Sequence, residues 1–194
     1  MTRTATITRT PRETEVEVSR NLDGTGLGSI STGVGFFDHL LDSLAHHALF
    51  DLSVATRGDL AVDDHHTVED TSLVLGQAIA EALGARSGIV RFGDATVPMD
   101  ESVATAIVDA GGRPYAVLDL SLRTERIGAL TTQNIPHALE ALARSARLTL
   151  HVSAVGHNDH HIAEASFKAL ARALRTAVAL DPRRTGVAST KGKV

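Results

Sequence analysis

Asp64-His65-His66-Thr67-Val68-Glu69 recurs later in the chain as Asp159-His160-His161-Ile162-Ala163-Glu164, and each copy opens a stretch with helical periodicity. Imidazole and carboxylate groups bind metals and move protons. One such element is a weak sign of a site, but the same order and spacing kept twice is a strong one. The copies extend upstream: His39-Leu40-Leu41-Asp42-Ser43-Leu44-Ala45 matches His137-Ala138-Leu139-Glu140-Ala141-Leu142-Ala143, and Leu52 then falls on Leu150. Each half reads as strands, a His-bearing helix, a strand, a loop and a second helix opening on ligand-type residues. The expected class is α+β, built from internally duplicated β/α half-domains on one core. The halves are expected over 1–93 and 94–180, with a mobile C-terminal tail over 181–194.

The composition bounds the function. Hydrophobic residues make up 43% of the 194, enough for a core, but only 3% are aromatic. Ala, Val and Leu therefore supply the burial, which favours close helix packing over ring-filled pockets. A net charge of −4 gives no electrostatic reason to expect nucleic acid or an anionic membrane. No apolar run approaches the ~20 residues that span a bilayer, and the N-terminus lacks an apolar signal region. Without cysteine, any metal must be held by imidazole and carboxylate. A cytoplasmic protein is expected.

The local pattern places the elements. Thr4 to Thr8 and Glu13 to Arg20 alternate as half-buried strands do, and Asn21 to Gly26 is a turn. A helix is expected over Phe36 to Ala48 with Asp38 as its N-cap, then a strand over Asp51 to Thr56. A second helix covers Val68 to Leu83 and stops at Gly84. The second half begins with a strand over Ser102 to Asp109. Gly111-Gly112-Arg113-Pro114 follows, then Tyr115 to Leu122 as a hairpin. Helices over His137 to Arg147, with Pro136 harmless in the first turn, and Ile162 to Leu180 flank a strand from Arg147 to Ala154.

On a helix, residues i and i+4 share a face, so His65 with Glu69 and His160 with Glu164 can each chelate one ion. Their neighbours His66 and His161 are rotated by about 100° and must serve a different ion. Two pseudo-symmetric sites satisfy this, one from His39, His66, His160 and Glu164, the other from His65, Glu69, His137 and His161. Because adjacent side chains diverge, some ligands are expected from a neighbouring subunit. The alternative makes each motif a helix start, with Asp64 and Asp159 accepting helix N–H bonds and Glu favouring the dipole. His151 has no ligand-type partner and reads as a strand histidine.

Phe36-Phe37-Asp38-His39-Leu40-Leu41-Asp42, Asp63 to Asp70, Asn158 to His161 with Glu164, and Ser189-Thr190-Lys191-Gly192 closely resemble imidazoleglycerol-phosphate dehydratase of histidine biosynthesis. The resemblance runs from Arg12-Glu13-Thr14 to the tail. It implies a helical bundle sandwiched between two β-sheets, a 24-subunit homo-oligomer, and two Mn²⁺ per subunit at subunit interfaces. The family's metal ligands fall on the eight residues already grouped. It further implies that Glu13 and His47 act near the reacting carbons, with His46 as a competitor for the second role. Arg91, Arg113, Ser189, Thr190 and Lys191 become substrate ligands on the phosphate side.

The implied reaction removes water from imidazoleglycerol phosphate to give imidazole acetol phosphate, with the ring held as a metal-bound imidazolate. Glu13 is the expected proton-transfer group. A metal-storage particle and a two-metal phosphoester hydrolase are the rival readings. Neither needs both the Gly-Arg-Pro turn and a histidine-dominated ligand set.

Overall fold

The computed structural model describes residues 3–192. The first half comprises β1 (Thr4–Arg9), β2 (Thr14–Asn21), β3 (Gly28–Ser31), α1 (Gly35–Ala48), β4 (Asp51–Gly58) and α2 (His65–Leu83). The second comprises β5 (Phe92–Met99), β6 (Ser102–Asp109), β7 (Tyr115–Leu120), the two-residue strands β8 (Arg126–Ile127) and β9 (Leu130–Thr131), α3 (Asn134–Ser145), β10 (Thr149–Val155) and α4 (Asp159–Val178).

The duplication is visible in the topology. The sheets run β1-β2-β4-β3 and β5-β6-β10-β7, and in each the first two pairings are antiparallel and the last parallel. In β2, Val16 and Val18 face the core while Glu15 and Glu17 face out, the period-2 pattern that fixes register. Even the helix ends match. Leu49 after α1 and Arg147 after α3 are both left-handed, with φ 57° and 53°.

Helices from opposite halves pair across the middle, α1 with α4 and α2 with α3, with the two sheets outside them. Buried on both sides, α4 carries Ala163, Ala165, Ala169, Ala171, Ala173 and Ala177 at 0% exposure, so small side chains set the interhelical spacing. Gly76 lets α2 approach α3 closely. A methyl group there would lie 2.6 Å from the Leu142 carbonyl oxygen of α3.

Several sequence expectations change. Asp38 is not the N-cap of α1; it lies in the first turn and accepts from Thr32 N–H at 2.8 Å and from Thr32 Oγ1. Tyr115 to Leu122 is not a hairpin, because β7 joins only β10, in parallel, on the far side from β6. β3 and β5 have no counterpart in the sequence reading. Both are edge strands, and Gly93 and Pro98 in β5 break the β pattern in the way an edge tolerates. After Asp181, the stretch around Gly186 and Val187 lies against the body, and the tail's last two residues, 193 and 194, lie outside the described residues. Gly88 N–H donates to Gly186 O at 2.8 Å, and Ser87 bridges Val187.

Candidate metal centres and anion pocket

The α1–α4 contact builds the first cluster. Glu164 Oε2 lies 3.1 Å from both His39 Nε2 and His160 Nε2. The other oxygen, Oε1, is 2.7 Å from Lys168 Nζ, one turn further along α4. Lys168 was not singled out in the sequence, although its i+4 spacing from Glu164 carried the signal. Burial pushes the Glu164 carboxyl up, but Lys168 and His39 outweigh it and bring it down to about 2. The carboxylate is therefore ionised wherever the imidazoles are neutral ligands.

The α2–α3 contact builds the second from His65, Glu69 and His137, whose ligand atoms lie within 4.8 Å of one another. The His65 and His137 rings stack with centroids 4.8 Å apart. His65 Nδ1 is 3.2 Å from Oδ1 of the buried Asn134, and Nε2 faces Glu69 at 3.9 Å. His137 Nε2 is buried with no hydrogen-bond partner among the described residues. Such an orphan is uncommon in a folded interior, and a cation would supply its partner. Two imidazoles and one carboxylate per cluster fit a divalent first-row metal ion.

His66 and His161 stay outside both clusters. Their rings stand at 77° and 89° to those of His65 and His160. His66 Nδ1 meets Asp59 Oδ2 at 3.0 Å, and His161 Nδ1 meets Glu101 Oε2 at 2.8 Å. Each expected set of four is thus three converging residues plus one that faces elsewhere. The carboxylates of Asp64, at the N-cap position of α2, and of Asp159, the first residue of α4, accept no helix N–H bond. Asp64 accepts from Thr131 N–H and Oγ1, and Asp159 from Arg123 N–H, Thr124 N–H and Thr124 Oγ1, pinning both helix starts to the 123–131 segment. The side-chain cap of α4 is Asn158, which accepts from His160 N–H, and Asp63, one residue before the N-cap position of α2, accepts from His65 N–H.

Glu13 lies near His66: after the Asp59 contact, the charges of Glu13 and Asp63 help favour its protonated form. His47, half-buried on α1, is shifted down by burial and then by His46, Lys168 and Arg172, so it belongs to the Glu164 side of the molecule. His46 is exposed beside it.

Arg91, Gly111, Arg113, Ser189, Thr190 and Lys191 line one pocket of about 550 Å³. Arg91 adopts φ 79°, a strained conformation for a long side chain. Its Nε and Nη2 bind Asp109 at 2.7 and 2.9 Å, and Nη1 donates to Ala188 O at 2.6 Å. Gly111 makes room, since a methyl there would lie 2.6 Å from Arg91 Nη2. Arg113 is exposed, with Nη2 3.7 Å from Asp109.

The pocket is remote from both clusters of the same chain. Arg91 N–H donates to Ala177 O, and a helix rise of ~1.5 Å per residue puts Ala177 roughly 20 Å from Glu164. Arg86 ties Ala110 O to Ala146 O, and the same rise puts Ala146 about 13 Å from His137. Ligand clusters sit at the helix starts and the anion pocket at the helix ends.

The chain is similar to known proteins. Residues 32–174 fit the model of the family described as imidazoleglycerol-phosphate dehydratase. The protein of that name from Frankia casuarinae is 55% identical over 193 residues, 99% of each chain. The one from Sinorhizobium fredii is 51% identical, covering 99% of this chain and 96% of its own. The crystal structure of the Staphylococcus aureus dehydratase superposes with a TM-score of 0.83 at 35% identity, over 92% of this chain and 99% of that one. The chain belongs to the imidazoleglycerol-phosphate dehydratase family.

Proposed function

We propose that the chain dehydrates imidazoleglycerol phosphate to imidazole acetol phosphate, as the family name implies, at sites assembled between copies of itself. The observation that carries the assembly is the separation within one chain. A three-carbon glycerol phosphate cannot reach from either cluster to the Arg91–Arg113 pocket. Nor can His66 and His161 join the clusters of their own chain. A neighbouring copy that inserts His66 toward His39, His160 and Glu164, and His161 toward His65, Glu69 and His137, completes two four-residue sets. The 24-subunit particle expected from the resemblance is one such closed assembly.

Two Mn²⁺ ions in those sets would lower the pKa of the substrate imidazole ring and so favour its imidazolate form. The protein's own groups do the rest. Arg91, Arg113, Lys191 and the Ser189–Thr190 hydroxyls hold the phosphate dianion, for which guanidinium forks are suited. Glu13 travels with His66 into the completed site. It is ligated to nothing, and it takes the proton from the carbon next to the one that loses its hydroxyl. His47, held toward its neutral form in the shelter of α1, orients the departing hydroxyl or passes to it a proton that the ring has first accepted. The enol left behind tautomerises to the ketone. The C–O bond to phosphate is untouched.

The test is a product assay with metal-stripped protein given back Mn²⁺. Ketone formation that requires metal and retains the phosphate supports the reading. Release of inorganic phosphate would replace it with a hydrolase.

A further inference from the structure

His66 and His161 share an arrangement that the duplication alone does not explain. Each presents Nδ1 to a carboxylate, but the two carboxylates come from different places. Asp59 follows β4, whereas Glu101 sits in the turn between β5 and β6. We infer that Asp59 and Glu101 are positioning residues, holding His66 and His161 in the Nδ1–H tautomer so that Nε2 is the atom offered to a neighbouring copy's cluster. This rests on the two-metal reading above.

An ionised carboxylate only accepts, so the ring nitrogen facing it must carry the hydrogen. In a neutral imidazole the other nitrogen then holds the free lone pair. His161 Nε2 has only the exposed Asp100 near it, at 3.8 Å, too far for a hydrogen bond. In the clusters it is likewise Nε2 of His39, His160, His137 and His65 that converges with a carboxylate oxygen on the point where an ion would replace the ring hydrogen. All six histidines would then ligate through the same atom.

The two carboxylates differ in their remaining contacts, and the difference makes the idea sharp. Both oxygens of Asp59 face only the His66 ring, at 3.2 and 3.0 Å. Glu101 spends Oε1 on Ser102 Oγ, His157 N–H and Asn158 N–H at 2.9, 3.0 and 2.8 Å. An asparagine at 59 can turn its carbonyl to His66 and preserve the tautomer. A glutamine at 101 must keep its carbonyl on the three donors, which puts its NH₂ against His161 Nδ1. The ring must then accept there and carry its hydrogen on Nε2, where it blocks metal.

The experiment titrates Mn²⁺ into metal-stripped wild type, Asp59→Asn, Asp59→Ala and Glu101→Gln, and measures the unfolding temperature of each metal-free form. Wild type should bind two ions per chain, and Asp59→Asn should match it within about threefold. Asp59→Ala and Glu101→Gln should each weaken one ion by about 10–100-fold, the usual effect of losing such a partner, at near-wild-type unfolding temperature. Full-affinity binding of both ions by Asp59→Ala and Glu101→Gln overturns the inference. So does Asp59→Asn behaving like Asp59→Ala, since charge rather than tautomer would then matter. If Glu101→Gln does not fold, the Asp59 pair decides alone. A wild type that binds fewer than two ions removes the two-metal reading itself, and the inference falls with it.

Discussion

His137 Nε2 lies 3.5 Å from Glu69 Oε1 and is buried without a hydrogen bond from any of the described residues, although α3 and α2 come from opposite halves of the chain. Two elements have been brought together to leave a buried ring nitrogen unmet. That is costly unless something else meets it, because an unsatisfied buried polar group costs roughly 1–3 kcal/mol.

Removing that nitrogen or its carboxylate neighbour should therefore show in metal content. His137→Ala and Glu69→Gln should each lose one Mn²⁺ per chain while keeping the ion at Glu164. Since loss of a mere supporting contact weakens binding about 10–100-fold, loss of a ligand should cost at least as much. Metal analysis after dialysis reads this directly, and two ions retained by either variant would remove that residue from the ligand set.

Glu13→Gln should separate binding from proton transfer. The variant should keep both metals and its KM while kcat falls by about 10²–10⁴, the range for a positioned acid or base. Steady-state kinetics beside metal analysis check it, and undiminished kcat would pass the role to another group, His47 first.

Gly76→Ala should loosen the α2–α3 contact. Its methyl would meet the Leu142 carbonyl oxygen at 2.6 Å and Ser145 Cβ at 2.8 Å, backbone and short side chain that cannot swing away. Overpacking of this kind costs about 1–3 kcal/mol, so denaturant midpoints should fall. Metal affinity at the His65–Glu69–His137 cluster should fall too, whereas that at the Glu164 cluster should not.

Acid stability should report the Arg91–Asp109 pair. Burial alone would raise the Asp109 carboxyl, but the contact with Arg91 outweighs it and holds the folded value below the usual one. The unfolded chain then takes up this proton first as pH falls. The stabilisation is complete above the unfolded value of about 3.9 and is lost as pH drops through the folded value. Asp109→Asn should be less stable than wild type at neutral pH, and the gap should close below about pH 4. Denaturant titrations at several pH values measure it, and a gap independent of pH would deny the pair its role.

Much of this was legible in residue order. The repeated His-His-x-x-Glu spacing showed the duplication, because helix periodicity makes residues four apart share a face whatever surrounds them. The same spacing picked out His65 with Glu69 and His160 with Glu164, and the strand alternation of Glu13 to Arg20 set the inner face of β2. Lys168 escaped notice although it continues that i+4 row, because a lone lysine on a helix is ordinarily a solvated charge.

What residue order could not determine is what long-range packing decides. β3 and β5 are held by their neighbours against weak local preference, so their Gly and Pro residues gave no strand signal. Only the fold shows that Asp64 and Asp159 anchor the 123–131 segment instead of capping helices, since a carboxylate serves whichever donors approach it. Only the fold joins α1 to α4 and α2 to α3, pairs His137 with Glu69, and turns His66 and His161 away from their own chain's clusters. Adjacent helical side chains diverge by about 100°, and which of each pair meets the other half is settled by the Ala- and Gly-sized contacts between helices.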